Sequence, residues 1–269
     1  MAQPPPPPQM AMNPIGAQPG GKPPVNWMPA PTVAAPQGCP PGLEYLTQVD
    51  QLLVHQIVEL FEMFTGVEMA NRYAIKNSLG QQVYFAHEES DFCMRQCCGP
   101  QRGFIIHITD NSQQEVMRLE REFKFCAGCG WCAGPDSETC SFEVRVEAPV
   151  GNIIGYVRQA QYYLGPKFDI LDAERKPVVK IKGPYCMCQD ICCQGDIEFD
   201  VFTGDMASTI GKVSKQWPGC FKHAWTDADN FGVTFPVDLH VNVKATLLAA
   251  VFLIDFMFFE TSNNNNNNN

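Results

Sequence analysis

The chain has 269 residues, 45% of them hydrophobic and 11% aromatic, with a net charge of −10 and a pI near 4.9. That is enough apolar matter for one large domain or two small ones. It is too acidic for nonspecific binding to nucleic acid, or for simple adhesion to anionic lipid unless a cation bridges the two.

Residues 1–42 are low-complexity. Pro4–Pro8 form a run, and Pro, Gly, Ala and Gln fill most of the rest. Such a segment buries too little apolar surface to offset its ordering entropy, so disorder with polyproline II character is expected. It reads either as a ligand for SH3 or WW domains or as a plain spacer. The absence of a Pro-Pro-x-Tyr sequence lowers the WW option. With neither a basic nor an apolar leader region, no secretory signal is expected. The thirteen cysteines are therefore read as reduced thiols in an intracellular compartment.

From Leu43 the composition becomes that of a folded domain, expected over residues 43–261. Leu52 to Phe64 is densely apolar, and periodicity does not decide between helix and strand there. Five hairpins follow, each an alternating strand, a polar turn and a second strand. They pair Tyr73–Ile75 with Val83–Phe85, Phe104–Ile108 with Val116–Leu119, Phe142–Val146 with Ile153–Val157, Phe168–Ile170 with Val178–Ile181, and Ile197–Val201 with Ile210–Val213.

A carboxylate-bearing loop, Asp227 to Gly232, then leads into a strand expected from Val233 to Val243. There Val233, Phe235, Val237, Leu239, Val241 and Val243 share one face. Ala245 to Phe259 is apolar nearly all round, with one charge, Asp255. It is too short for a clear membrane span and is expected to be a helix covering the strands' apolar faces. The result is a mainly β chain, a closed antiparallel barrel around a buried hydrophobic C-terminal helix. Residues 262–269 read as a disordered Asn-rich tail.

Several phrases carry a resemblance. They are Gly42-Leu43-Glu44-Tyr45-Leu46 with Asp50 to Gln56, Glu89-Ser90-Asp91-Phe92-Cys93 with Cys97-Cys98-Gly99-Pro100, and Gly211 to Lys215. Thr226 to Gly232 and Phe252 to Glu260 complete the set. Over residues 41–261 the chain resembles the phospholipid scramblase family, whose members also carry a proline-rich head. The resemblance implies a Tubby-like fold of about twelve strands. It implies calcium-dependent, ATP-independent, bidirectional movement of phospholipids between leaflets, a transporter-type rather than an enzymatic activity. It also implies palmitoylated cysteines on the cytoplasmic side of the plasma membrane, a nuclear pool, and links to nucleic acid that the charge balance disfavours here. A rival from another class is a membrane-tethered adaptor that binds lipid headgroups and recruits SH3 or WW proteins through its head.

For calcium, a twelve-residue EF-hand pattern would place Asp227, Asp229, Phe231, Val233 and Asp238 as ligands, with Gly232 at the turn. The alternative is a hairpin loop with two solvated aspartates. Cys126, Cys129 and Cys132, with Cys140 nearby, form one thiol cluster; Cys186, Cys188, Cys192 and Cys193 form another. Zinc binding, S-acylation of Cys126, Cys129 and Cys132, and inert exposed thiols are all open readings. Gly211 to Cys220 overlaps a nuclear-import segment of the family, but Lys212 and Lys215 are its only basic residues, and a barrel strand is the favoured reading. Five scattered histidines, and no nucleophile motif or P-loop, point away from an enzyme.

Overall fold

A computed structural model describes residues 25–32, 36–57, 70–134, 140–185, 195–216 and 230–260. Twelve strands form one up-and-down barrel: β1 (Gln51–Gln56), β2 (Arg72–Asn77), β3 (Gln82–Glu89), β4 (Phe104–Thr109), β5 (Glu115–Arg121), β6 (Glu143–Glu147), β7 (Ile153–Ala160), β8 (Lys167–Asp172), β9 (Pro177–Lys182), β10 (Ile197–Thr203), β11 (Thr209–Lys215) and β12 (Asn230–Thr234). Each strand pairs antiparallel with its sequence neighbours, and β1 closes on β12 in the register Gln51↔Thr234 to His55↔Asn230. Closure leaves no free edge to pair with another chain.

The five expected hairpins are the pairs β2–β3 through β10–β11. The apolar segment from Leu52 begins as β1, with Leu52 and Val54 inward; residues 58–69 lie outside the described residues. One short helix, α1 (Phe92–Cys98), was not foreseen. Asp91 caps it, accepting from the Met94 amide at 3.0 Å.

The last strand ends sooner than the alternation implies. β12 stops at Thr234, and Pro236 has no N–H to continue a ladder. Val237 is exposed, so the apolar face breaks there. The chain turns at 235–240, and helix α2 runs over Val241–Phe258, four residues earlier than expected. His240 caps it through Nδ1, which accepts from the Asn242 amide at 3.2 Å. The alternation of Val241 and Val243 was thus a helical stretch read with a strand's period.

Fourteen of the 18 residues of α2 are buried. It is the single helix among the described residues long and apolar enough to cross a bilayer, but its surface is spent filling the barrel. It leans on β6, β7 and β8. A Cβ on Gly155 of β7 would lie 2.6 Å from the Leu171 carbonyl and 2.9 Å from Thr246 Oγ1; only a glycine lets the helix approach so closely.

Packing also reaches N-terminal of residue 43. The Met28 amide donates to the Gln82 carbonyl at 2.8 Å, the Gln82 amide donates to that of Asn26 at 2.8 Å, and the Met28 side chain is buried.

Candidate functional site

An up-and-down barrel puts alternate connections at opposite ends, and here the two ends differ. Short turns, 78–81, 110–114, 148–152, 173–176 and 204–208, sit at one end. The longer connections join the strand ends at the other: 57–71, 90–103, 122–142, 161–166, 183–196 and 216–229. The helix enters at the short-turn end and terminates at the long-connection end.

Each end is plugged by a buried cation. At the short-turn end Lys244 Nζ donates to the carbonyls of Leu46, Val49 and Val237 at 2.8, 2.9 and 2.7 Å. Burial pulls its ammonium down to about 8, against the opposing pull of Asp238 and Asp50. At the long-connection end Arg102 holds Glu88 bidentately, at 2.8 and 3.0 Å, and Glu260 at 2.5 Å. Burial pushes Glu88 up, but hydrogen bonds and charge from Arg102 outweigh it and hold the carboxyl below the usual range. Arg121 stacks over Phe104 and Phe142, and its Nη2 donates to the Arg102 carbonyl at 2.5 Å. Burial lowers its guanidinium to about 9. Deeper in the lumen the Tyr73 hydroxyl donates to Asp255 at 3.0 Å, so the one carboxylate within the apolar helix has a partner.

The long-connection end also collects the thiols. Cys93 and Cys97 on α1 and Cys126, Cys129 and Cys132 in the 122–142 connection are exposed. The latter loop is tied to its neighbour: the Tyr162 amide donates to the Gly130 carbonyl at 3.0 Å and Gln161 Nε2 to that of Trp131 at 2.9 Å. The Cys129 thiol is drawn down by the backbone N–H of Cys132, then by the Cys132 thiol and the Trp131 N–H. A cavity of about 570 Å³ lies between this loop, α1 and the helix end, walled by Cys98, Cys129, Phe142, Met257 and Phe258. No group of three or more Cys, His, Asp or Glu among the described residues is placed to hold a metal. Cys132 nevertheless interacts with both Cys129 and Cys140, and Cys186, Cys188, Cys192 and Cys193 lie outside the described residues.

Of the twelve-residue calcium pattern, the described residues are 230–238. Phe231 and Val233 lie in β12, paired on one side to Val54 and Leu52 and on the other to Lys215 and Val213. Their side chains are buried and their carbonyls belong to the ladder. Gly232 is plain strand, opposite Leu53 and Ser214, where an EF-hand needs a sharp turn. Asp238 is exposed in the turn after the strand, at the short-turn end. Asp227 and Asp229 lie outside the described residues, in the connection entering β12 from the other end. In Gly211 to Cys220, Lys212 pairs with Glu198 at 2.7 Å and Lys215 is buried over Phe259. Both basic residues serve strand β11, and residues 217–220 lie outside the described residues.

The scramblase family model matches residues 28–261. The chain belongs to the scramblase family. It is 50% identical to human phospholipid scramblase 1 over 238 residues, covering 88% of this chain and 71% of that one. It is 49% identical to bovine phospholipid scramblase 2 over 247 residues, 92% and 80% of the respective chains. It is 46% identical to human phospholipid scramblase family member 5 over 83% of this chain and 79% of the other. Among solved structures, an Arabidopsis thaliana protein aligns at 12% identity with a TM-score of 0.39, over 78% of this chain and 93% of that chain. Within this scramblase the two cation plugs and the thiol-bearing loop are built from residues the sequence leaves in loops or hides inside strands. The Cys-x-x-Cys spacing signalled the loop; the lone Lys244 at the start of an apolar run is the signal that could have found the short-turn plug.

Proposed function

We propose that this chain scrambles phospholipids between membrane leaflets without ATP and in response to calcium. The carrying observation is the match of the family over residues 28–261, together with about 50% identity to phospholipid scramblases along most of the chain. The lumen is packed by α2, so a lipid path through the barrel is disfavoured and the work falls to the protein–bilayer boundary. Asp227 and Asp229 supply the carboxylates a hard cation needs, without Phe231, Val233 or Asp238. Acylation of Cys126, Cys129 or Cys132 would hold the barrel to the cytoplasmic face of the plasma membrane. The proline-rich head would recruit SH3 or WW proteins, and a nuclear pool would follow family precedent.

Purified full-length protein in vesicles carrying a leaflet-specific fluorescent lipid tests this. Lipid asymmetry should decay on adding calcium, and Asp227→Ala/Asp229→Ala should abolish the response while Asp238→Ala leaves it intact. Binding to vesicles with no exchange of lipid at any calcium level would reject scrambling in favour of the adaptor.

A further inference from the structure

The exposed aromatic side chains of the described residues are all at one end. Phe92, Phe123, Phe125, Trp131, Tyr163 and Tyr185 are 52%, 44%, 87%, 70%, 71% and 73% exposed, with Leu164 at 72% beside them. They come from four different connections, 90–103, 122–142, 161–166 and 183–196, which share only their place at the long-connection end. Leu79, Met206 and Val237, the large apolar side chains exposed in the turns of the other end, stand singly and include no ring.

We propose that this rim is a membrane-docking surface, whose rings enter the headgroup level of a phospholipid bilayer independently of acylation and of calcium. The proposal rests on the reading of the chain as a protein that acts on membrane lipid. Trp, Tyr and Phe with an aliphatic neighbour are the composition that sits at the membrane–water interface, where one side of a ring is apolar and the other wet. The presentation is fixed: Trp131 and Tyr163 lie with ring centroids 6.2 Å apart, on loops joined by the Gln161–Trp131 and Tyr162–Gly130 hydrogen bonds. The net charge of −10 argues against capture by anionic lipid as the driving force, so the contact is hydrophobic and does not require acidic headgroups. The exposed thiols of Cys93, Cys97, Cys126, Cys129 and Cys132 share this end, so an acyl chain on any of them would enter the same bilayer.

The test uses the full chain made without acyltransferases, in a calcium chelator, with vesicles of pure phosphatidylcholine. Wild type should co-sediment equally at low and high salt, because screening acts on charge and not on apolar contact. Phe125→Ser/Trp131→Ser/Tyr163→Ser/Leu164→Ser should lower partitioning about tenfold or more, since four apolar side chains leave the interface. Leu79→Ser/Val237→Ser should bind as wild type. With Trp27, Trp217 and Trp225 replaced by Phe, Trp131 should be quenched by brominated lipid, which reads insertion with every named rim side chain in place. Absence of wild-type binding, equal binding by the rim variant, an equal loss in the far-end variant or an unquenched Trp131 would overturn the inference. So would a wild-type dimer that only the rim variant dissociates, which would assign the surface to a second copy. Docking is read without lipid exchange, so failure of scrambling alone leaves it standing.

Discussion

The two ends of this barrel are made by the same twelve strands and closed by opposite means. At the short-turn end the plug is Lys244, a cation held by three neutral backbone carbonyls. At the other end it is Arg102 between two carboxylates, with Arg121 stacked on the rings beside it. The short-turn end spends its residues on tight hairpins with few large apolar groups outside. The long-connection end carries the rings, the thiols and the helix terminus. Stability is the business of both ends, and chemistry that faces outward is the business of one. An ion-paired plug also ties the end of α2 to strand β3 and the 90–103 connection, so the functional end is the one whose integrity depends on charge.

The largest effect expected from breaking that comparison is at Arg102. Arg102→Ala leaves Glu88 buried beside Glu260 without the cation that hydrogen-bonds both, with only the longer-range charge of Arg121 facing them. Removing one partner of a buried pair typically costs about 3–5 kcal/mol, enough to lower the denaturant midpoint steeply. Replacing Glu88 and Arg102 together by Gln and Met should recover much of that loss. A single variant as stable as wild type would mean the end is held by packing alone.

Next comes Lys244→Met, which keeps the stem and removes the three donors. Two buried carbonyls and one partly buried carbonyl lose a partner, and a cost of roughly 2–3 kcal/mol is expected. Because no carboxylate is left uncompensated, this variant should fall less far than Arg102→Ala. Chemical denaturation of both variants side by side decides the order, and a larger loss at Lys244 would reverse the assignment of the charged plug.

These differences explain what was legible in the sequence. The hairpins were readable because inward and outward residues alternate along each, and polar turns mark where the chain reverses. The barrel followed from their number and from a helix apolar on all sides. Alternation from Val237 to Val243 misled, because a turn and the first turn of a helix matched a strand's period by chance; Pro236 was the local sign against it. In the calcium pattern the twelve-residue spacing likewise gave no sign that Phe231, Gly232 and Val233 are strand residues. Arg102, Glu88 and Glu260 carry no local signal, since their meeting depends on closure of a barrel across more than 150 residues. The rim is likewise a product of topology, scattered over four loops until alternate connections are sorted by end.

Acid should separate the ends by their charge. Arg102 holds Glu88 below its ordinary value, so the folded state binds that proton more weakly than the unfolded chain does. Its stabilisation is fully present above a pH of about 4.3 and is lost as pH falls through the folded value. Glu260 runs the other way: burial raises it above the usual range despite Arg102, so its protonation at higher pH offsets part of the loss. Glu88→Gln should therefore flatten the acid limb of the stability curve, whereas Lys244→Met should leave that limb unchanged. An acid limb of equal slope in Glu88→Gln would place the responsible carboxylate elsewhere.

The smallest effect is at the thiols and reads the same comparison at single-residue scale. Exposure alone ranks Cys126, Cys129 and Cys132 together, but their surroundings do not. Cys129 receives the Cys132 backbone N–H, and the thiol is lowered by it, by the Cys132 side chain and by the Trp131 N–H. Cys132, as donor to that sulfur, is raised. Thiolate is the nucleophile, so at neutral pH Cys129 should be alkylated before Cys132, with its rate rising at a lower pH than the roughly 8.5 of a free cysteine. Cys132→Ser keeps the backbone N–H, so Cys129 should remain the faster thiol, whereas a change of the loop's tie through Gln161→Ala should slow it. Peptide mapping of brief iodoacetamide labelling reads each rate separately. Faster labelling at Cys132 would show that the 126–132 turn does not hold this hydrogen-bonded form in solution.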